Sequence, residues 1–157
     1  MGPSAPVREA VTSPAVLAHS DECLKSVRPE LASIGRYLRM YAQQSGIEIV
    51  FVQGLRTEAQ QAALYAQGRT APGQIVTQAP TAESTPHGRG AALDFAIIDL
   101  KGQPSWAAGL TLLYERVGRL GEGLGLVSGQ RFSHPDRPHL NLRNWQSLPF
   151  PWTPTGG

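Results

Sequence analysis

Two short stretches hold residue types that could bind an ion and move a proton. In Thr85-Pro86-His87-Gly88-Arg89-Gly90-Ala91-Ala92-Leu93-Asp94, a histidine between glycines is followed seven positions later by a lone carboxylate. In Asp136-Arg137-Pro138-His139-Leu140-Asn141-Leu142, a carboxylate precedes a histidine across a proline. His87, Asp94 and His139 together form a two-histidine, one-carboxylate set, which suits a tetrahedral zinc ion with one position left open. Such an ion acidifies water and polarises a carbonyl, and a carboxylate nearby can take the proton and pass it to a leaving amine. Asp136 is the candidate for that base. Each residue has a plainer reading: a histidine beside glycines can be an ordinary loop residue, Asp94 a buried acid capping a turn, and Asp136 a group that only orients His139.

The elements around these residues follow from local patterns. Leu93, Phe95, Ile97 and Ile98 form an apolar, β-favouring run that places Asp94 on a strand, and Gly88 and Gly90 let the chain turn sharply ahead of it. Leu140 and Leu142 share one face of a second strand, so His139 and Asn141 share the other and face a cleft. Upstream, Pro29 suits a first helical position, and Leu31, Ile34, Leu38 and Tyr41 recur at helical spacing through Gln44. Gly46 ends that helix, and Ile47 to Val52 reads as a strand. Thr57-Glu58-Ala59-Gln60 fits a capping box, which sets Arg56 just ahead of a helix N-terminus and Gln61 on its first turns. By spacing alone, Arg56 is a surface charge flanking a helix. The helix stops at Gly68, and Arg69 to Pro86 is a long polar connection of the sort kept for binding. Trp106 to Leu124 predicts a helix with Leu110, Leu113, Val117 and Leu120 on its apolar face, and Leu126 onward returns as strand or loop.

Composition limits what the set can serve. The 157 residues, 41% hydrophobic and 17% charged, make one globular domain with a single core, residues 19–157, preceded by a Pro-, Ala- and Ser-rich flexible arm at 1–18. The net charge of +2 is spread rather than clustered, which suits an acidic polymer and gives no basic groove for nucleic acid. Cys23 is the sole cysteine, so paired-Cys zinc sites and an intrachain disulfide are excluded. No apolar run of about 18 residues could span a membrane, and the N-terminus lacks the apolar core of a signal peptide. The expectation is a monomer made in the cytoplasm that needs another agent to reach an external target.

Other candidates fall away. The glycines from Gly118 to Gly125 follow a helix rather than a strand and lack the G-x-G-x-x-G order of a nucleotide loop. His134 reads as a solvated loop residue, His19 as exposed, Cys23 as a small packing residue, and Trp106, Trp145 and Trp152 as scattered packing.

The motifs in this order resemble the LAS-type (M15) zinc peptidases of bacterial cell-wall metabolism, nearest to the L-alanyl-D-glutamate endopeptidase branch found among phage endolysins. Thr85 to Asp94 matches the family's Ser-x-His-x-x-Gly-x-Ala-x-Asp motif, Asp136-Arg137-Pro138-His139 its Asp-x-Pro-His motif, and Gly54-Leu55-Arg56-Thr57 with Gln61 its arginine helix. The resemblance implies an α+β fold of LAS/hedgehog type, a small central antiparallel sheet with helices packed around it. It also implies one zinc ion per chain on His87, Asp94 and His139, with Asp136 as catalytic base. Arg56 would bind substrate or a developing oxyanion, with Gln61 and Thr85 at the substrate. The implied activity is cleavage of a peptidoglycan stem peptide, at the L-Ala-D-Glu bond, by an endolysin reaching the wall through holin-type release or dedicated secretion. Two other activities fit the motifs: a D-Ala-D-Ala carboxypeptidase or dipeptidase, and a non-catalytic binding domain keeping the metal for structure. The departures are Thr85 for serine, Leu140-Asn141 for a common Phe-Gln pair, and Val127 to Phe132 where the family has a Trp-Gly-rich segment. They concern the shape of the cleft rather than the metal.

Overall fold

The computed structural model describes residues 11–155. Helix α1 (Pro14–Ser26) begins inside the stretch expected to be a loose arm. Ser13 caps it by accepting a hydrogen bond from Ala15 N at 3.2 Å, and Pro14 takes the first helical position, where a missing N–H costs nothing. The arm's composition therefore conceals a helix start, and residues 1–10 lie outside the described residues. Helix α2 (Pro29–Gln44) opens on proline in the same way and ends before Gly46, whose φ of 79° only glycine adopts without strain. Leu31 and Leu38 are fully buried as their spacing predicts, whereas Tyr41 projects to solvent.

Strands β1 (Ile49–Gln53), β2 (Ala92–Ile98), β5 (His139–Leu142) and β4 (Leu126–Ser128) lie side by side in the order β1-β2-β5-β4, every pairing antiparallel, and the short β3 (Pro104–Ser105) pairs the far end of β2. Helix α3 (Glu58–Ala66) follows β1, and α4 (Thr111–Gly123) precedes β4. One face of the sheet is the core. Phe51, Leu93, Phe95, Ile97 and Leu140 pack there on α2 through Leu31 and Leu38 and on α4 through Tyr114 and Val117. Phe95 stacks on Tyr114 at 5.3 Å between ring centroids, and the Tyr114 hydroxyl accepts from Ile97 N and donates to Ser105 O, fastening β3 to β2.

Period-two alternation sends Asp94, Ala96 and Ile98 to the opposite face. Val16 and Leu17 of α1 cover that face over Val50, Ala96 and Ile98. Helix α1 also occupies the outer side of β1: Ser20 Oγ accepts from Phe51 N at 2.9 Å, and His19 Nε2 lies 2.9 Å from Val52 O. An otherwise unpaired strand edge is thereby closed. Past the end of α1 the same face is open, and a cleft of about 710 Å³ lies over Asp94 and His139.

Candidate metal centre

Sheet register brings the two motifs together. Asp94 on β2 is the direct partner of His139 on β5 and of Gln53 at the end of β1, across an irregularity between Phe51 and Gln53. His87 arrives from the loop before β2. Gly90 turns that loop at φ 66°, and Gly88 passes so near Ala82 that a Cβ would lie 1.9 Å from the Ala82 carbonyl oxygen. Asp136 is set by a tight turn: its N–H donates to Gly129 O at 2.9 Å and its carbonyl accepts from His139 N at 3.2 Å. A side chain at Gly129 would strike the Asp136 carbonyl, so this glycine is needed for the close approach.

The nitrogen and oxygen atoms of His87, Asp94 and His139 converge within 4.8 Å of one another. His87 Nε2 is 3.2 Å and His139 Nδ1 3.4 Å from Asp94 Oδ1, and the rings meet edge to face at 5.1 Å. The outer nitrogen of each ring is committed elsewhere. His87 Nδ1 lies 2.9 Å from Gly54 O, and His139 Nε2 lies 2.8 Å from Asn141 Oδ1, whose amide donates in turn to Leu142 O. Both acceptors take a ring proton on the outside, so the inside nitrogen, which faces Asp94 here, is the one that becomes a metal donor once any proton on it is given up, the orientation that metal-binding histidines adopt. Two imidazole nitrogens and one carboxylate oxygen, preset in this way at a cleft, fit a zinc ion with an open position.

The charges agree with that donor set. Burial opposes ionisation of Asp94, but hydrogen bonds from His139 and His87 outweigh it and hold the carboxyl well below the usual carboxylate range. Burial likewise works against a charged His139, yet its hydrogen bond and attraction to Asp94 raise it above its ordinary value. Asp136 stands at the exposed rim; partial desolvation of its carboxyl and the negative Asp94 push it upward, against the pull of His139, His87 and Arg56. An acid shifted in that direction holds a proton more readily than an ordinary aspartate.

Arg56 lines the same cleft. Its Nη1 donates to Gln61 Oε1 and its Nη2 to Gln53 Oε1, both at 2.9 Å, so two amides aim the guanidinium and leave further N–H groups free. Desolvation lowers its pKa while Asp94 and Asp136 pull it back up. Gln61 is fully buried behind Arg56, and its Nε2 donates to Ala79 O at 2.7 Å, tying the long 69–86 connection to α3. The Thr85 hydroxyl accepts from Gly88 N at 2.8 Å and donates to Ala82 O, so it braces the loop that carries His87.

Three contributors were not singled out from sequence. Gln53 meets Arg56 three residues on and Gly129 meets Asp136 seven residues on, contacts made by the turns between them that no residue spacing marks. Asn141 was marked only as sharing a strand face with His139, and that two-residue spacing is the one signal that could have found it. His134 lies exposed in the loop, and Trp106 is exposed. Trp145 borders the cleft, whereas Trp152 stacks under Arg28 and donates to Ser26 O.

A four-strand antiparallel path with helices packed on it, and with His87, Asp94 and His139 together at an open cleft, is an α+β fold that solved peptidoglycan peptidases share. Over 69 residues the chain is 42% identical to peptidoglycan L-alanyl-D-glutamate endopeptidase CwlK of Bacillus subtilis (strain 168), a match spanning 44% of this chain and 41% of the relative's length. Among solved structures it superposes on Serratia marcescens L-Ala D-Glu endopeptidase ChiX with a TM-score of 0.63 at 23% identity, covering 85% of this chain and 92% of that one. The LD-carboxypeptidase LdcB superposes with a TM-score of 0.58 at 18% identity over 74% of this chain and 58% of the other. No family model matches the chain.

Proposed function

We propose that the chain is a zinc-dependent peptidase of the peptidoglycan stem peptide, acting at the L-Ala-D-Glu bond. The observation that carries this reading is the convergence of His87 Nε2, His139 Nδ1 and Asp94 within 4.8 Å, each ring's other nitrogen already spent, beside a carboxylate that is not part of the set. A zinc ion held there supplies Lewis acidity, which acidifies water and polarises a carbonyl. Asp136 takes the proton from the attacking water and delivers it to the leaving amine, its raised pKa suiting it to both halves of the transfer. Arg56, aimed by Gln53 and Gln61, uses its remaining N–H groups on a substrate carboxylate or on the oxyanion that develops at the scissile carbonyl. The matched segment of CwlK and the fold of ChiX support the choice of bond.

Muropeptides digested by the purified protein, with and without a chelator, test the reading. Products ending in L-Ala and beginning with D-Glu, lost on chelation and restored by zinc, are expected. Release of terminal D-Ala would transfer the site to the carboxypeptidase reading that the LdcB fold also accommodates, and intact stem peptides with zinc bound would leave a non-catalytic domain. In a cell, the activity proposed is that of an endolysin: the protein should lyse its host only when a membrane pore or secretion route lets it reach the wall.

A further inference from the structure

Arginines near the cleft are mostly spent. Arg69 donates to the carbonyls of Tyr65 and Thr77, Arg89 to those of Glu83 and Leu148, Arg131 binds Glu122 and Arg137 binds Glu115. Arg143 differs. It is exposed, borders the same cleft as His139 and Asn141, and makes no hydrogen bond or ion pair among the described residues. The acid within its electrostatic reach, Glu122, is already held by Arg131 and by Gln130 Nε2. A planar fork of donors is therefore presented to the cleft with no hydrogen-bonding partner among the described residues.

Its position follows from strand parity. His139 and Asn141 alternate onto the open face, Val127 of β4 stands opposite Asn141 and also borders the cleft, and Arg143 continues the row just past the end of β5. Arg56 comes from the other wall, beyond the end of β1. Arg56, Arg143 and the three metal-ligand candidates all line the one cleft. Four residues of extended chain cover about 13 Å, so Arg143, even with its side chain folded back, reads a group one or two residues along the peptide from the scissile amide. Trp145 beside it offers an apolar flank for an aliphatic stem.

We propose that Arg143 is a specificity-determining residue that binds a second substrate carboxylate, the one on the side chain of the stem peptide's third residue. The assignment rests on the stem-peptide reading of the cleft. Stem peptides carry at that place either a diaminopimelate, whose side-chain end adds to its ammonium a free carboxylate that an arginine binds bidentately, or a lysine, which ends in the ammonium alone and offers the arginine nothing to hold. The cleft then selects peptides whose third side chain adds a carboxylate for Arg143 to the one that Arg56 holds.

The test compares three synthetic peptides of the form L-Ala-γ-D-Glu-X, with X as meso-diaminopimelate, its side-chain amide or L-lysine, against the zinc-loaded protein and its Arg143→Gln and Arg143→Lys variants. Hydrolysis and calorimetric binding are both measured. The unaltered protein should bind the diaminopimelate peptide about 10- to 100-fold more tightly than the amide, the span of a charge-assisted hydrogen bond. Arg143→Gln should erase that difference by raising KM for the diaminopimelate peptide alone, with kcat within about twofold, and Arg143→Lys should restore part of it. Equal binding of the three peptides by the unaltered protein, or an equal loss on all three in Arg143→Gln, overturns the assignment. If no peptide is cut, the peptidase reading fails, while the binding ratios still decide the role of Arg143.

Discussion

His87 and His139 meet the same carboxylate, one from the loop before β2 and the other from the neighbouring strand β5, and they are held in opposite ways. His87 offers Nε2 and hands its Nδ1 proton to a backbone carbonyl, that of Gly54 at 2.9 Å. His139 offers Nδ1 and hands its Nε2 proton to a side chain, that of Asn141 at 2.8 Å. The glycine-loop half of the centre is thus fixed by main chain that can hardly change. The proline-turn half is fixed by replaceable side chains, and it also carries the candidate base. The first half holds; the second half can be tuned.

The largest effect should come from the ligands themselves, where the halves ought to behave alike. His87→Ala, Asp94→Ala and His139→Ala should each abolish both zinc binding and hydrolysis, read as metal content after desalting and as muropeptide digestion. Asp136 should break the equivalence. Asp136→Asn leaves the three donors in place, so zinc content should be unchanged while kcat falls by about 10²- to 10⁴-fold, the usual yield of a positioned base. An Asp136→Asn protein that loses its zinc would make Asp136 an orienting group and remove it from the chemistry.

Next in size are the outer partners. Asn141→Leu removes the acceptor that fixes the His139 tautomer and should weaken zinc binding by about 10- to 100-fold, measured by competition with a chromophoric chelator. Gly54 has no side chain to delete, and its equivalent test is steric. A Cβ at Gly54 would lie 2.3 Å from Ser26 Oγ and 2.6 Å from Cys23 O, so Gly54→Ala must shift α1 or the loop. A loss of about 1 to 3 kcal/mol in folding stability, seen by denaturant melts of the metal-free protein, is expected from such overpacking. If Asn141→Leu bound zinc like the parent, the contrast between the two histidines would collapse.

The same contrast separates what could be read in the sequence from what could not. The His87–Asp94 and Asp136–His139 motifs, strand β2 and the capping box at Thr57 are local patterns, each set by neighbours within ten residues, and each appears in the structure where the spacing predicts. What escaped is either masked by composition or made by distant segments. Ser13-Pro14 is a helix-start pattern, but it stands in a stretch whose proline and serine content reads as an arm. The resemblance implies Gln61 at the substrate, and the fold buries it behind Arg56, its amide held by Ala79 O of the connection eighteen residues on. Arg28 looks like any helix-flanking cation, yet it is buried, stacked on Trp152, and donates to Arg89 O and Pro149 O, clamping the chain's end against the His87 loop.

The smallest effect separates the two halves by proton rather than by mutation, and its sign can be worked out for the metal-free protein. His139 is raised above its ordinary value of 6.5 because Asp94, Asn141 and Asp136 favour its charged form more than burial disfavours it. A group raised on folding contributes stability that is complete below its unfolded value and fades as pH climbs through the folded one. Asp94 is shifted downward from 3.8, so its contribution is complete above that value and lost only in strong acid. Asp136 is shifted upward from 3.8, and its contribution fades at the acidic end of the range, before His139 titrates. Between about pH 6 and 8, the change left to these three groups is the loss from His139, so the chelated protein should melt at lower temperature at the higher pH. Zinc reverses the slope, because the metal competes with the very proton that Asp94 otherwise holds on His139, and its affinity grows as that proton leaves. Melting curves that fall with pH without zinc and rise with pH in its presence are the expected pair. A metal-free melting temperature independent of pH across this window would mean that Asp94 is not paired with His139 in the folded protein.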